Sequence, residues 1–481
     1  MREQLVPGAT LGLDGQRPPR VFDSAAMPAD RAVLDHLEAG LRDADLAAPP
    51  VILPDFYRKP VMEMPSSIAV ATRRGIHMTL TSAALNCGMA LAALDAPPPP
   101  EREIRTFYRL FREAHPHPPG YRPRLSAAEV VRCAARGARF AVDRYDLDPA
   151  ELDRIEEGGC LPVELYGGAE RVRRELSTPA IQLARLRFGT VGPSTHFVEL
   201  QKVVQVLDPG AAARLGVRLG QVTIQFHGGD GVLNIQLGAR FGRRLAGSRA
   251  LRAVMAVQKP LYQLASARSA RQLHERWALY FSGGCPPVER ESEEGERLML
   301  ANAMAMNYAF AYRQAVYATL RALARQVFGA ASRLVVDSPH NTVYDEELDG
   351  RRVVVHRHNA ARAYPPSRLT GHPVFAETGQ PLLVPGTNRT SSYLCVAGEG
   401  AASSLFSACH GTGSIIESFR RRGLSGPDPE GHTTLRFGYD RPEPATVPHL
   451  DDRGVSEGLR ILARHEVLRP VARLRPFAVL T

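Results

Sequence analysis

Residues 293–328 form the longest helical stretch of the chain, rich in Ala, Met, Leu and Tyr, and it lies among apolar runs of only strand length. Val51-Ile52-Leu53, Ser67 to Thr72, Val222 to Phe226, Leu334 to Asp337, Arg351 to His356, Pro381 to Val384 and Tyr393 to Val396 each read as a short strand. Helical spacing at Val33, Leu34, Leu37 and Leu41 predicts a helix over residues 31–41. Residues 101–180 read as helical in pieces, most clearly Ala127 to Arg139, and residues 246–282 as helical and basic. From Arg185 to His196 the chain turns strand-like, whereas Gly8, Gly12, Gly15 and Pro18-Pro19 leave residues 1–30 loose. No period of 20–50 residues repeats. Short strands mixed irregularly with helices predict an α+β fold and argue against a doubly wound sheet.

The chain of 481 residues is long enough for one large core or two to three domains. Its formal net charge is +10, and arginine greatly outnumbers lysine. Guanidinium forks match phosphate oxygens, so a polyanionic partner fits, although a GC-rich coding bias produces the same composition. Six cysteines (Cys87, Cys133, Cys160, Cys285, Cys395, Cys409) are scattered without a close pair, which excludes a disulfide framework and argues against a zinc knuckle. No apolar run spans a bilayer and the N-terminus carries no apolar signal region, so no membrane association and a cytoplasmic location are expected.

Histidines recur in one local setting. His196 stands in Gly-Pro-Ser-Thr-His-Phe, His227 and His340 follow strands, and His410 sits in Cys-His-Gly-Thr-Gly after an apolar run. Cys87, in the tight segment Leu85-Asn86-Cys87-Gly88-Met89, is a fifth member. Strand ends are where rigid scaffolds place functional groups. Imidazoles with one thiolate suit Zn²⁺, Co²⁺, Fe²⁺ or Mn²⁺. For any lone histidine the plainer reading is a turn residue without chemistry. Trp277 and the Tyr308 and Tyr312 pair read as packing, and Cys133, Cys160, Cys285 and Cys395 as core or surface thiols.

In order along the chain, these segments resemble the RtcB-type RNA ligases, which join 3'-phosphate and 5'-hydroxyl RNA ends. Ala84-Leu85-Asn86-Cys87-Gly88-Met89 is similar to that family's D-I-x-C-G-M, and Ser194-Thr195-His196-Phe197-Val198-Glu199 to its G-N-H-F-x-E. His227 to Val232 stands at H-S-G-S-R-G, Asp337 to Asn341 at D-x-x-H-N, and Cys409-His410-Gly411-Thr412-Gly413 at C-H-G-A-G-R. Met306 to Gln314 and His356 to Pro365 resemble two further family segments.

The resemblance implies one large domain over residues 1–481, with mixed sheets around a central metal and nucleotide pocket and mainly helical insertions at 101–180 and 240–290. It implies Mn²⁺ as the metal, one or two ions, with Zn²⁺ or Co²⁺ as alternatives. Cys87, His227 and His340 would hold one ion and Cys87 with His196 the other. GTP is the implied cofactor and His410 the implied nucleophile, forming a His-GMP intermediate. Thr195, Glu199, Asn341, Thr387, Ser392, Gly411, Thr412 and Gly413 are the expected GTP contacts, with Glu199 reading guanine. Arg313, Arg357 and Arg362 are expected to grip phosphate or RNA. The implied partners are RNA (tRNA halves or broken RNA ends) or DNA ends.

The chain departs from the family pattern at several of its positions. Ala84 stands where the family has a metal-binding aspartate and Thr195 where it has asparagine. Gly231 and Ser414 replace arginines, Tyr57 a histidine, and Thr481 the C-terminal lysine. Two alternatives therefore stand beside the ligase: a non-catalytic protein that binds RNA ends, and a metal phosphodiesterase without guanylylation.

Overall fold

In the computed structural model the described residues are 18–60, 62–118, 120, 122–192, 196–229, 232–241, 249–281 and 286–481. The Glu293–Phe328 helix runs 36 residues, about 54 Å at 1.5 Å per residue. Ser292 starts it by accepting the Gly295 N–H at 3.0 Å. Gly329 ends it in the left-handed region at φ 63°. Apolar residues occupy every face of its middle, so from Leu298 to Val316 it is buried all round. Tyr308 and Tyr312 pack inside it, as their setting predicts.

The larger sheet has nine strands. Its path runs Pro381–Val384, Ser392–Ala397, Leu468–Leu480, Phe197–Val206, Val222–Gly228, Gly88–Leu94 and Ser332–Pro339. Thr433–Phe437 joins the Leu468–Leu480 strand in parallel and pairs antiparallel with Ala445–Pro448, the ninth strand. One face of this sheet meets the long helix and the helices of residues 101–187 in the main core. The other face closes on Val335, Phe375, Leu383, Leu394 and Leu474. A five-stranded sheet (Arg20–Val21, Val51–Ile52, Ile68–Thr72, Arg351–His358, Asn341–Leu348) stands beside it. The fold is α+β, and no helix among the described residues is long and apolar enough to cross a membrane.

Several sequence expectations need correction. Arg185 to Thr190 does not begin a strand. Ser177 caps a helix over Thr178–Arg187, with Pro179 in its first turn, and the strand starts only at Phe197. Residues 1–17 lie outside the described set, but the rest of the segment expected to be loose is anchored. Arg20–Val21 pairs in parallel with Val51–Ile52, and Phe22 is buried. The helix expected over Ala127 to Arg139 breaks at Gly137. That glycine has φ +54°, and a Cβ on it would lie 2.1 Å from the Gly159 carbonyl oxygen. Asn341 opens a strand where a stop was expected. The 13-residue strand Leu468–Leu480 is the longest and gives no clean alternation, because Pro470 and Pro476 fall at or beside irregular registers.

Candidate metal and nucleophile site

Cys87 is delivered by a tight turn. Its N–H bonds the Ala84 carbonyl at 3.1 Å, and Asn86 takes the left-handed conformation at φ 56°, which asparagine tolerates better than most side chains. The Asn86 amide donates to the Met306 carbonyl on the long helix at 2.6 Å. Gly88 must be small, because a Cβ there would sit 2.7 Å from the Ser338 carbonyl oxygen.

The other donors come from neighbouring strands. His227 lies within the Val222–Gly228 strand, opposite Met89 on one side and Phe197 on the other. His196 immediately precedes the Phe197–Val206 strand. His340 stands at the corner where the chain leaves the larger sheet for the smaller one, and its N–H bonds the Cys87 carbonyl at 2.9 Å. His410 follows the short Ser407–Cys409 strand, with its N–H on the Asn359 carbonyl at 3.2 Å.

These five side chains converge. Cys87 Sγ lies 3.2 Å from His227 Nε2 and 4.0 Å from His196 Nε2. His227 Nε2 lies 3.2 Å from His340 Nε2, and the His340 and His410 rings stack at 3.5 Å between centroids. Donor atoms fall into two sets within 4.8 Å, Cys87/His196/His227 and His227/His340/His410. His227 is thus the shared member, where the resemblance implied sharing through Cys87. Nitrogen and sulfur donors about 2.0–2.3 Å from a tetrahedral ion stand roughly 3.3–3.6 Å apart, so the observed spacing fits a divalent ion. Burial, then the neighbouring imidazoles, push His340 well below its usual pKa, and burial with His227 does the same for His410. Both rings are therefore neutral and keep a lone pair, and His340 Nδ1 is buried without a hydrogen-bond partner.

The loop that carries His410 is held from two sides. Asp55 Oδ1 accepts the Ser414 N–H at 2.8 Å and the Ser414 hydroxyl at 2.5 Å, capping the Gly413–Arg421 helix. Thr412 Oγ1 donates to the Pro385 carbonyl at 2.6 Å, which brings the loop of Thr387 alongside. Thr387 accepts the Arg389 N–H, and Ser392 Oγ accepts the Gly386 N–H at 3.1 Å, so both brace that loop. Ser414 stands where an arginine was expected, and here it serves Asp55.

Other expected contacts are engaged within the protein. Asn341 donates through its amide to the Ala84 carbonyl at 3.2 Å and accepts the Asn359 N–H at 3.0 Å. Glu199 shares a sheet face with Gln225 and His227, two residues along from Phe197, or about 6–7 Å. It is 4% exposed and accepts from Gln201 at 2.6 Å. Burial raises its pKa to about 8, against the opposing pull of Gln201. Thr195 and Gly231 lie outside the described residues.

The three arginines expected at phosphate or RNA are engaged within the protein. Arg313 is fully buried, with Nε on Asp337 at 2.6 Å, Nη1 on the Asn86 carbonyl at 2.5 Å and Nη2 on Asn86 Oδ1 at 2.8 Å. Arg357 is equally buried, on Glu346 at 2.5 Å and on the Leu405 and Phe406 carbonyls at 3.2 Å. Both guanidinium groups are occupied by partners within the protein. Each instead holds a left-handed turn, at Asn86 before Cys87 and at Leu405–Phe406 before the strand of His410. Arg362 is 7% exposed, pairs with Glu157 and lies 4.4 Å from the Tyr364 ring centroid. Sequence reasoning missed Asn86, Asp55, Asp337 and Glu346 as positioning residues. The signals were Asn-Cys-Gly, Pro-Asp, and the aspartate three residues before His340.

The family model described as tRNA-splicing ligase RtcB matches residues 61–423. The tRNA-splicing ligase RtcB of Archaeoglobus fulgidus is 30% identical over 377 residues, 74% of this chain and 71% of that protein. The RNA-splicing ligase RtcB of Mycobacterium tuberculosis is 32% identical over 284 residues, 58% of each. The Pyrococcus horikoshii protein of the first name is 29% identical over 419 residues, 82% of this chain but 44% of its own length. This chain thus spans less than half of the Pyrococcus relatives it matches. With the family match over three-quarters of its length, the chain belongs to the RtcB family.

Proposed function

We propose that the protein is a metal- and GTP-dependent RNA ligase acting through a His-GMP intermediate. The observation that carries this reading is the stacking of neutral His410 against His340 beside the Cys87, His196 and His227 donors. Cys87, His196, His227 and His340 would hold the ion, Mn²⁺ or a softer divalent metal. Once bound, it would offset negative charge on the triphosphate. His410 supplies its ring lone pair to the α-phosphorus of GTP. An N–P bond forms, the bond to the pyrophosphate oxygen breaks, and pyrophosphate leaves. GMP then passes from the histidine to an RNA 3'-phosphate, and a 5'-hydroxyl displaces GMP as the phosphodiester forms. Glu199 would accept the guanine N–H donors in its ionised form.

Incubation with α-labelled GTP and Mn²⁺ tests this. An acid-labile protein–GMP adduct that His410→Asn abolishes is expected, and absence of the adduct with every divalent ion would sink the reading. Ala84 supports one alternative, since the site lacks the hard oxygen that suits Mn²⁺. That alternative is a phosphodiesterase opening 2',3'-cyclic phosphates without guanylylation. It requires cyclic-phosphate hydrolysis that needs Cys87 and persists in His410→Asn.

A further inference from the structure

A cavity of about 520 Å³, sharing no lining residue with the Cys/His cluster, lies between the long helix, the Gly168–Glu175 helix and the paired helices Arg249–Gln263 and Ala270–Phe281. Five arginines line it (Arg171, Arg174, Arg268, Arg276, Arg297) against three glutamates. The inner two are fixed: Arg276 donates to Glu294 at 2.5 Å and Arg297 to Gln263 at 2.6 Å. Arg171 lies 3.8 Å from Glu296. Arg174 and Arg268, at the rim, form no ion pair among the described residues.

Behind the wall is a further guanidinium. Arg240 is 0% exposed, and its Nε and Nη1 are buried with no acceptor. Its Nη2 donates to Ser177 at 2.8 Å, and its guanidinium lies 4.3 Å from the Tyr262 ring, both wall residues. A cavity lined by five arginines, two of them exposed and without an ion pair among the described residues, suits an anion carrying several acceptor oxygens.

The same helix pair exposes an aromatic platform. Trp277, the only tryptophan, is 56% exposed and stacks on Phe281 at 5.2 Å. Its expected role in packing is therefore corrected. Leu273 sits one turn before it, and Leu261, 61% exposed on the other helix of the pair, belongs to the cavity wall. Trp277 lies on the Ala270–Phe281 helix, and Arg268 stands two residues before that helix begins.

We infer that the arginine cavity and the Trp277 platform form a single-stranded nucleic-acid subsite separate from the metal cluster. Phosphodiester groups enter the cavity at Arg174 and Arg268, and a base stacks on Trp277. Positive grooves combined with stacking faces bind single strands without regard to sequence. The choice of RNA as the strand rests on the proposed ligase reading.

Fluorescence anisotropy of the full chain with a short labelled single-stranded RNA, across a salt series, tests the subsite. The double variant Arg174→Ala/Arg268→Ala should bind about tenfold more weakly at low salt, with a log–log salt slope shallower by about 1.4. Trp277→Ala should bind at least about fivefold more weakly. Wild-type affinity and slope in both variants would overturn the subsite, as would failure of the wild-type chain to bind RNA. Inorganic phosphate added as a competitor separates the sources. If the arginines govern phosphate binding while strand binding ignores them, the cavity takes free phosphate and the strand proposal fails. The GMP adduct, measured in parallel, should be unchanged in these variants. Loss of the adduct in the wild type with arginine-dependent RNA binding intact would reject the ligase chemistry alone.

Discussion

At Glu199 a carboxyl is buried in the larger sheet, accepting a hydrogen bond from Gln201, and burial raises its pKa to about 8. A carboxyl raised in the folded state favours folding when protonated. Its contribution is fully present below the unfolded value of 4.5 and is lost as pH climbs to about 8. Glu199→Gln keeps the acceptor facing Gln201. It should raise stability at pH 8 by an amount on the order of 3–5 kcal/mol, with no gain near pH 4.5, read from denaturant midpoints at the two pH values. The same variant should weaken GTP binding, because an amide cannot accept both guanine donors. Equal GTP affinity in the two proteins would remove Glu199 from the nucleotide site. Ala84 belongs to the same scale. Its carbonyl supports the Cys87 turn while its methyl offers a metal nothing. Ala84→Asp should increase the Mn²⁺ bound per chain, measured by elemental analysis after desalting, and no increase would show that the turn points residue 84 away from the ion.

Among the elements, the long helix acts as the spine that sets the site. Along its length Asn302 donates to the Val343 carbonyl at 2.9 Å, Asn307 to the Leu161 carbonyl at 2.9 Å, and Arg313 to Asn86. Gly88 and Gly229 leave room for that arginine, since Cβ atoms there would lie 3.0 Å from its Cζ and 2.6 Å from its Nη1. Arg313→Met should cost about 3–5 kcal/mol, because Asp337 would stay buried without its countercharge. It should also lower metal affinity by releasing the Asn86 turn. A variant that keeps wild-type metal affinity would show that the strands alone hold Cys87.

The elements divide sharply in how legible they were. The helix over 293–328 and the strands at Val222, Arg351 and Pro381 carry their own apolar patterns, and the structure has them at or near the expected bounds. The Leu468–Leu480 strand is hidden by its arginines and prolines, and its identity depends on partners far away in sequence. The five donor residues were legible as cysteine and histidine at tight turns and strand ends. The direction of Arg313 and Arg357 was not. Their partners, Asp337 and Glu346, stand 24 and 11 residues away, and only tertiary packing makes an arginine internal.

For the whole molecule, the site is a junction. Cys87 and His227 belong to the larger sheet, His340 sits where the chain passes to the smaller one, and His410 arrives on a separate two-stranded ribbon. An ion held by Cys87, His196, His227 and His340 would tie the two sheets together, so it should stabilise the entire fold. At a free metal concentration of 100 Kd the gain is about 2.7 kcal/mol, and chelation should lower the melting temperature. Cys87→Ala should remove that response, and a persisting response would place the stabilising ion elsewhere.

The most direct test of the account is mapping the adduct formed with GTP and Mn²⁺ by peptide mass spectrometry under conditions that preserve N–P bonds. The account predicts GMP on His410 alone, absent in His410→Asn and in Cys87→Ala. GMP on another residue, or an adduct that survives His410→Asn, would contradict it.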